Sequence, residues 1–204
     1  MKDRKTMRFL LLAMTAFVPS PAIAENDIAV KSNVIYDLMA VPNIGIELGL
    51  CNQWSLGANV MYGWWTDHRE FYWRTYATDI SIRKYFGGWQ CAHPLQGHHI
   101  GIYGGVATYD YELGGRGYIS DYQDEWSRYF GLDYGWSMPI SRHLNLDMSL
   151  GLGYFGGQYK DYLPVMNDCP EELHYVWQST RHIDYWGPTK LEIALVWIIG
   201  RNNK

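Results

Sequence analysis

The sequence predicts an all-β fold: an eight-stranded, antiparallel, up-and-down transmembrane β-barrel with a polar, filled lumen. Three observations predict it. Apolar residues recur at every second position through most of eight segments. The positions between them hold small residues and charges of both signs. Tryptophans recur ten residues apart on one face of single strands.

The first 24 residues stand outside that pattern. Lys2, Arg4, Lys5 and Arg8, against Asp3, precede an apolar run from Phe9 to Val18, and Ala22-Ile23-Ala24 closes the stretch. A basic start, a short apolar core and an A-x-A end predict a secretory signal peptide cleaved after Ala24. The apolar run is shorter than the roughly 20 residues that a membrane-spanning helix needs. Residues 25–204 are then a single β-barrel domain whose net charge moves from −4 to −7 once the leader is removed.

The strands follow in order. Residues 28–37 form a weak first strand around Val30, Val34 and Tyr36. In 43–50, Ile44, Ile46, Leu48 and Leu50 oppose Asn43, Gly45, Glu47 and Gly49. In 54–64, Trp54, Leu56, Ala58, Val60, Tyr62 and Trp64 oppose Ser55, Gly57, Asn59, Met61 and Gly63. Strand 74–86 sets Tyr76, Ile80, Ile82 and Phe86 against Ala77, Asp79, Ser81, Arg83 and Tyr85, and 98–109 carries Ile100, Ile102 and Val106. In 125–138, Trp126, Phe130, Leu132, Tyr134 and Trp136 oppose Ser127, Gly131, Asp133 and Gly135. In 143–155, Leu144, Leu146, Met148, Leu150 and Leu152 oppose Asn145, Asp147, Ser149 and Gly151, and 186–199 closes with Leu191, Ile193, Leu195, Trp197 and Ile199. A helix would scatter these residues round its axis, whereas a strand sorts them onto two faces. Residues 51–53 and 139–142 read as tight turns, and 65–73, 110–124 and 156–185 as long loops. Short turns at one end and long loops at the other are the outer-membrane layout, which 38–42, short for an outer loop, and 87–97, long for a periplasmic turn, fit less well.

The composition of the two faces decides which one meets lipid. The small, charged row holds Lys31, Glu47, Asp79, Arg83, Asp133, Asp147, Lys190 and Glu192. Charges of both signs beside many glycines fit a narrow lumen of paired ions, since a buried charge without a partner is expensive. The aliphatic row, with aromatics at strand ends, fits hydrocarbon. Trp54 and Trp64, and Trp126 and Trp136, lie ten residues apart on that row. Ten residues at ~3.3 Å rise and ~40° tilt cover ~25 Å, the height of an apolar band between two aromatic girdles. Trp186 and Trp197 differ in parity and do not extend the argument. Lys84 and Arg128 fall on the lipid row near strand ends, where a charge costs only ~0–1 kcal/mol.

Other chemistry is thinly signalled. Cys51 and Cys91 fall in turns at one barrel end, close enough in principle for a disulfide, and Cys169 falls in the last loop. His98 and His99 alternate faces and cannot share a metal. Asp67, His68 and Glu70 could form an acid–base group in an outer loop, but no nucleophile stands beside them, and a solvated polar loop is the simpler reading. Gly151, Gly153 and Gly156 match a dinucleotide fingerprint only in spacing, because no helix pattern follows. The acidic balance and lack of a basic cluster argue against nucleic acid. No catalytic residue, cofactor or metal is expected.

Several segments carry a family resemblance: Lys31-Ser32-Asn33-Val34-Ile35-Tyr36-Asp37, Pro42-Asn43-Ile44-Gly45-Ile46-Glu47, Gln53-Trp54-Ser55-Leu56, Gly151-Leu152-Gly153-Tyr154 and Tyr185-Trp186-Gly187-Pro188-Thr189-Lys190. Together they resemble the bacterial family known as domain of unknown function 3575. The resemblance implies an outer-membrane-type barrel, often encoded near fimbrial genes, and brings no catalytic residues.

The expected protein is therefore a monomeric, non-enzymatic barrel in the cell outer membrane. Its expected partners are outer-membrane lipid and a surface or fimbrial protein. Two rivals remain from other classes: a lipid-modifying outer-membrane enzyme, and a soluble periplasmic β-barrel binder.

Overall fold

The computed structural model describes residues 28–67, 71–86, 95–113, 116–120, 126–166 and 173–199. They form one antiparallel sheet of nine strands: β1 (Ile28–Asn33), β2 (Asn43–Gly49), β3 (Trp54–Asp67), β4 (Phe71–Phe86), β5 (Gly97–Leu113), β6 (Arg116–Ser120), β7 (Ser127–Pro139), β8 (Leu144–Met166) and β9 (Leu173–Ile199). Successive strands pair from β1 to β5. β5 then pairs with both β6 and β7, both of these pair with β8, and β8 pairs with β9. β9 returns to β1 through Ile28↔Ile199 to Asn33↔Ala194, so the pairings close into a ring.

The expected eight strands become nine because the sixth is broken. β6 and β7 share the interval between β5 and β8, one beyond the other. Tyr109 faces Ser120, whereas Ala107 faces Ser127, so the register along β5 jumps where β6 gives way to β7. The predicted loop 110–124 therefore contains the end of β5 and all of β6. The predicted loops 65–73 and 156–185 are largely strand as well, through β3 and β4 and through β8 and β9. Their outer ends have little apolar alternation, and backbone pairing supports them: Pro164↔Tyr175 and Met166↔Leu173 continue the β8–β9 ladder.

The first strand is shorter than expected. Residues 28–37 split into β1 and a helical turn, α1 (Val34–Leu38). Asn33 causes the change: its side-chain oxygen accepts from the Ile35 amide at 3.1 Å, an N-cap interaction that competes with an extended backbone. The Asn43 side chain in turn accepts from the Asn33 amide at 2.6 Å and donates to Asp37 at 2.8 Å. β1 and β2 therefore end at one level.

Two bulges adjust β9. Gly151 faces Lys190 but Leu152 faces Pro188, and Asp161 faces Ser179 but Tyr162 faces Trp177. Thr189 and Gln178 are the extra residues. A proline cannot donate to a ladder and is tolerated at a bulge. The Thr189 bulge shifts the parity of β9, so Trp186 and Trp197 both face outward, 72% and 59% exposed. Their mismatch by residue number disappears once that extra residue is counted.

Burial alternates along most strands, with the pattern ieBeBeB in β2. Inward positions hold few but long side chains, and glycines opposite them make the room. A Cβ on Gly101 would meet Asp133 and lie 2.8 Å from Arg83 Cγ, and one on Gly135 would lie 2.6 Å from the His99 ring. At one end of the ring the inward row is apolar: Ala29, Tyr85, Leu95, Ala194, Val196 and Ile198 pack together. Leu95, at φ 76°, points into that end, and its carbonyl accepts from Ser137 at 2.9 Å and Asn145 at 2.8 Å.

This packing makes a prediction. Gly101→Ala overpacks the interior and should destabilise the fold by about 1–3 kcal/mol. Gly104→Ala meets only ordinary contacts, 3.8 Å from Phe130 Cβ, and should stay within ~0.5 kcal/mol. Urea unfolding midpoints of the two variants measure the difference.

Candidate functional site

The middle of the ring interior is ionic, and Arg83 is its hub. Its position on β4 is inward by parity, and no part of its side chain is exposed. Nε reaches Asp133 on β7 at 3.0 Å, Nη1 reaches Asp147 on β8 at 3.0 Å and Glu47 on β2 at 3.4 Å, and Nη2 reaches Glu192 on β9 at 2.8 Å. One planar guanidinium thus ties four carboxylates from four other strands, a geometry that a lysine ammonium cannot reproduce.

Lys31 on β1 joins two of them, Glu47 at 3.1 Å and Glu192 at 2.9 Å. Lys190 reaches Asp79 at 2.7 Å and Glu192 at 3.7 Å. The structure therefore brings Lys31, Glu47, Asp79, Arg83, Asp133, Asp147, Lys190 and Glu192 into one connected network. Three cations face five carboxylates. His99 stands on the side of the excess, 2.9 Å from Asp147 and 4.0 Å from Asp133.

Neutral donors complete the shell. Ser55 donates to Glu47 at 2.5 Å and Tyr85 does so at 2.9 Å. Asn59 and Tyr129 donate to Asp79 at 2.9 and 3.5 Å. The Tyr103 hydroxyl bonds to Thr189. Ser55, Asn59, Tyr85 and His99 are ligands of the ions that no charge marks in the sequence, although each shares its strand's inward parity. Thr189 carried no such signal, since only the bulge turns it inward.

Above the ions lies a cavity of about 160 Å³, lined by Lys31, Asn33, Tyr36, Asn59, Asp79, Tyr129, Lys190 and Glu192 among others. It has room for about five water molecules. The carboxylates beneath it are engaged by cations, so the network is suited to fixing strands and filling space. Among the described residues, no cluster of three or more His, Cys, Asp or Glu is arranged to hold a metal ion.

The outer surface presents the opposite chemistry. Trp54, Trp64, Trp126 and Trp136 are all exposed, between 38% and 53%. On β3 Trp54 and Trp64 each meet a cation directly across the ladder: Trp54 faces Lys84 and Trp64 faces Arg74. The ammonium of Lys84 lies 5.3 Å from the Trp54 ring and the guanidinium of Arg74 lies 4.2 Å from the Trp64 ring. Lys84 also donates to the Asn52 carbonyl in the turn. Arg128 is exposed on β7.

The remaining candidates fare as follows. Cys51 is half-buried in the β2–β3 turn, whereas Cys91 and Cys169 lie outside the described residues. His68 and Glu70 also lie outside them, so the loop acid–base group has no described geometry. Gly151, Gly153 and Gly156 all sit within β8, which runs on to Met166 as strand. His98 and His99 do face opposite ways: His99 is fully buried, and His98 stacks 5.6 Å from Trp136 on the outer side.

Removing the hub should be costly. Arg83→Met leaves Glu47, Asp133, Asp147 and Glu192 without their shared cation and should destabilise the fold by about 3–5 kcal/mol. Asp184→Asn removes the charge from exposed contacts with His182 and the Tyr154 hydroxyl and should stay within ~0.5 kcal/mol. Paired unfolding curves in one detergent check both.

The comparisons with known proteins add a family. No curated protein matches the chain, and no solved structure does. A family model described as Protein of unknown function (DUF3575) matches residues 8–199, a span that contains every described strand. The chain belongs to that family of proteins of unknown function.

Proposed function

We propose that this protein is a small outer-membrane β-barrel, exported by a cleaved leader, whose role is structural and surface-associated rather than enzymatic. Counting β6 and β7 as one wall position, eight positions enclose the interior, and an eight-position barrel holds little more than its own side chains.

One observation carries the reading. Large apolar residues look outward from every wall position, while the charges at the middle of the strands look inward. Outward residues include Ile44, Ile80, Ile102, Leu132, Leu152 and Leu195, each between 42% and 65% exposed. A soluble protein rarely exposes an apolar patch beyond a few hundred Å², whereas a lipid-embedded wall requires one. The cation–tryptophan pairs at both ends of the β3 belt fit the two interfaces of a bilayer, where aromatic rings and long basic side chains are favoured. No helix among the described residues is long and apolar enough to cross a membrane, and that bears only on helices.

The rival readings draw less support. A soluble binder would need its apolar row inward and a cavity of roughly 300–1,000 Å³ for a small molecule. Here the inward row is ionic and the cavity above it is about 160 Å³; the larger cavity, about 620 Å³, lies away from the ion network, between β3, β4, β5 and β6, and its lining includes the outward-facing Tyr62, Trp64 and Trp126. An open pore is disfavoured by the network that crosses the interior. The surface or fimbrial association implied by the family resemblance would be served by the long β8–β9 hairpin, which extends past the level where β1 and β2 end.

Fractionation of expressing cells tests the proposal. The expected protein begins at Glu25, stays with carbonate-washed membranes, dissolves only in detergent and shifts on a gel when boiled. A protein recovered in the soluble periplasmic fraction, with one mobility heated or unheated, would overturn it.

A further inference from the structure

Strand pairing on the β1 side of β9 stops early. Among the described residues it ends at Asn33↔Ala194, although β9 reaches back to Leu173. The Asn33 side chain extends the ladder by one step: its amide donates to the Leu191 carbonyl at 3.1 Å and its oxygen accepts from the Ile193 amide at 3.3 Å. Beyond that step, β9 keeps β8 on one side and, among the described residues, has no strand on the other. β8 itself is covered, by β7 as far as Gly156 and by β6 at Lys160, Asp161 and Tyr162.

Unpaired strand edges usually carry devices that blunt them, such as bulges and prolines. Here the bulges at Gln178 and Thr189, and Pro188, mark the limits of a segment and leave its interior unbroken. Ser179–Gly187 is a regular run between them. Tyr185 and Trp186 in that run are 42% and 72% exposed, and the side chains of Arg181 and His182 are more than half exposed.

We propose that Ser179–Gly187 is a docking edge that takes one extended segment of a different protein as an added β-strand. The ligand chemistry follows from the edge. A row of backbone amides and carbonyls at strand spacing is matched by another extended backbone, and the Tyr185 and Trp186 rings favour β-branched or aromatic residues across the pair. The edge itself rests on the strand pairings. The choice of a foreign strand over a second copy rests on the membrane reading. Two copies in one bilayer share an orientation. The two-fold that lays β9 antiparallel on itself inverts one molecule, and the two-fold along the strand is tilted with it by roughly 40° and throws the second molecule out of the bilayer plane.

The test uses the full folded chain in detergent and a labelled ten-residue peptide of alternating threonine and valine with glutamate at each end. A second peptide of the same sequence has every amide N-methylated. The expected result is saturable binding of the first peptide, at least tenfold weaker binding of the second, and photocrosslinks from a central benzoylphenylalanine that map to residues 179–187. Ile183→Pro, verified as folded by its heat-shifted mobility, should lose at least tenfold in affinity. The proposal is overturned by no binding, by equal binding of the methylated peptide, or by crosslinks outside that run. Dimerisation of the chain that competes with the peptide would also overturn the foreign strand as occupant. Such a dimer would leave the edge in place and count against the membrane reading, which the fractionation result judges separately.

Discussion

Placing an arginine among four carboxylates inside a narrow ring of strands constrains nearly everything else in this protein. Arg83 has no exposure and its guanidinium stays charged, so its partners must converge from β2, β7, β8 and β9. That convergence requires each of those strands to keep its charged residue on the same side. Because side chains alternate along a strand, the same register turns Ile46, Leu132, Leu150 and Leu191 to the outside. The inner ions and the outer apolar belt are therefore two consequences of one choice of register. A slip by one residue in any of these strands would bury an aliphatic row and strand a carboxylate outside.

The interior is layered along its length. An apolar cluster with Leu95 fills the end near the tight turns, the ion network fills the middle, and a small cavity of mixed polar and apolar lining sits above it. Glycine is what lets long side chains occupy so thin a space: Gly101 and Gly135 lie where Arg83 and His99 need room. Beyond the cavity the wall becomes uneven. β1 and β2 end at the Asn33–Asn43 seam, whereas β8 and β9 continue to Met166 and from Leu173. Uniform shape thus belongs to the part with the ionic filling, and asymmetry belongs to the part beyond it.

Legibility in the sequence followed the same division. Where one face is aliphatic and the other ionic, alternation alone located the strand and its facing, as in Trp54–Trp64 and Leu144–Leu152. Beyond the belt, contrast between the faces fades. Gln158 is exposed while Gly157 is buried, and neither is apolar enough to mark a strand, so 156–166 read as loop. Val34 and Tyr36 alternate like strand residues, yet Asn33 caps a helical turn there, a local hydrogen bond that outweighs a weak pattern. The bulge at Thr189 defeated counting by parity, although Gly187-Pro188 gave a hint that the ladder breaks. The broken sixth wall position had no counterpart in pattern at all, because β6 and β7 are each ordinary strand and only their register against β5 shows the break.

Site-directed spin labelling in lipid vesicles tests the central arrangement most directly. In a background with Cys51, Cys91 and Cys169 replaced by serine, single labels would be placed at Ile80, Ile102, Leu132 and Leu152, with Arg181 as a reference beyond the belt. The account predicts that the first four relax strongly with oxygen and weakly with a water-soluble nickel chelate, and that Arg181 shows the reverse. Ready access of the nickel chelate to the four belt positions would contradict it.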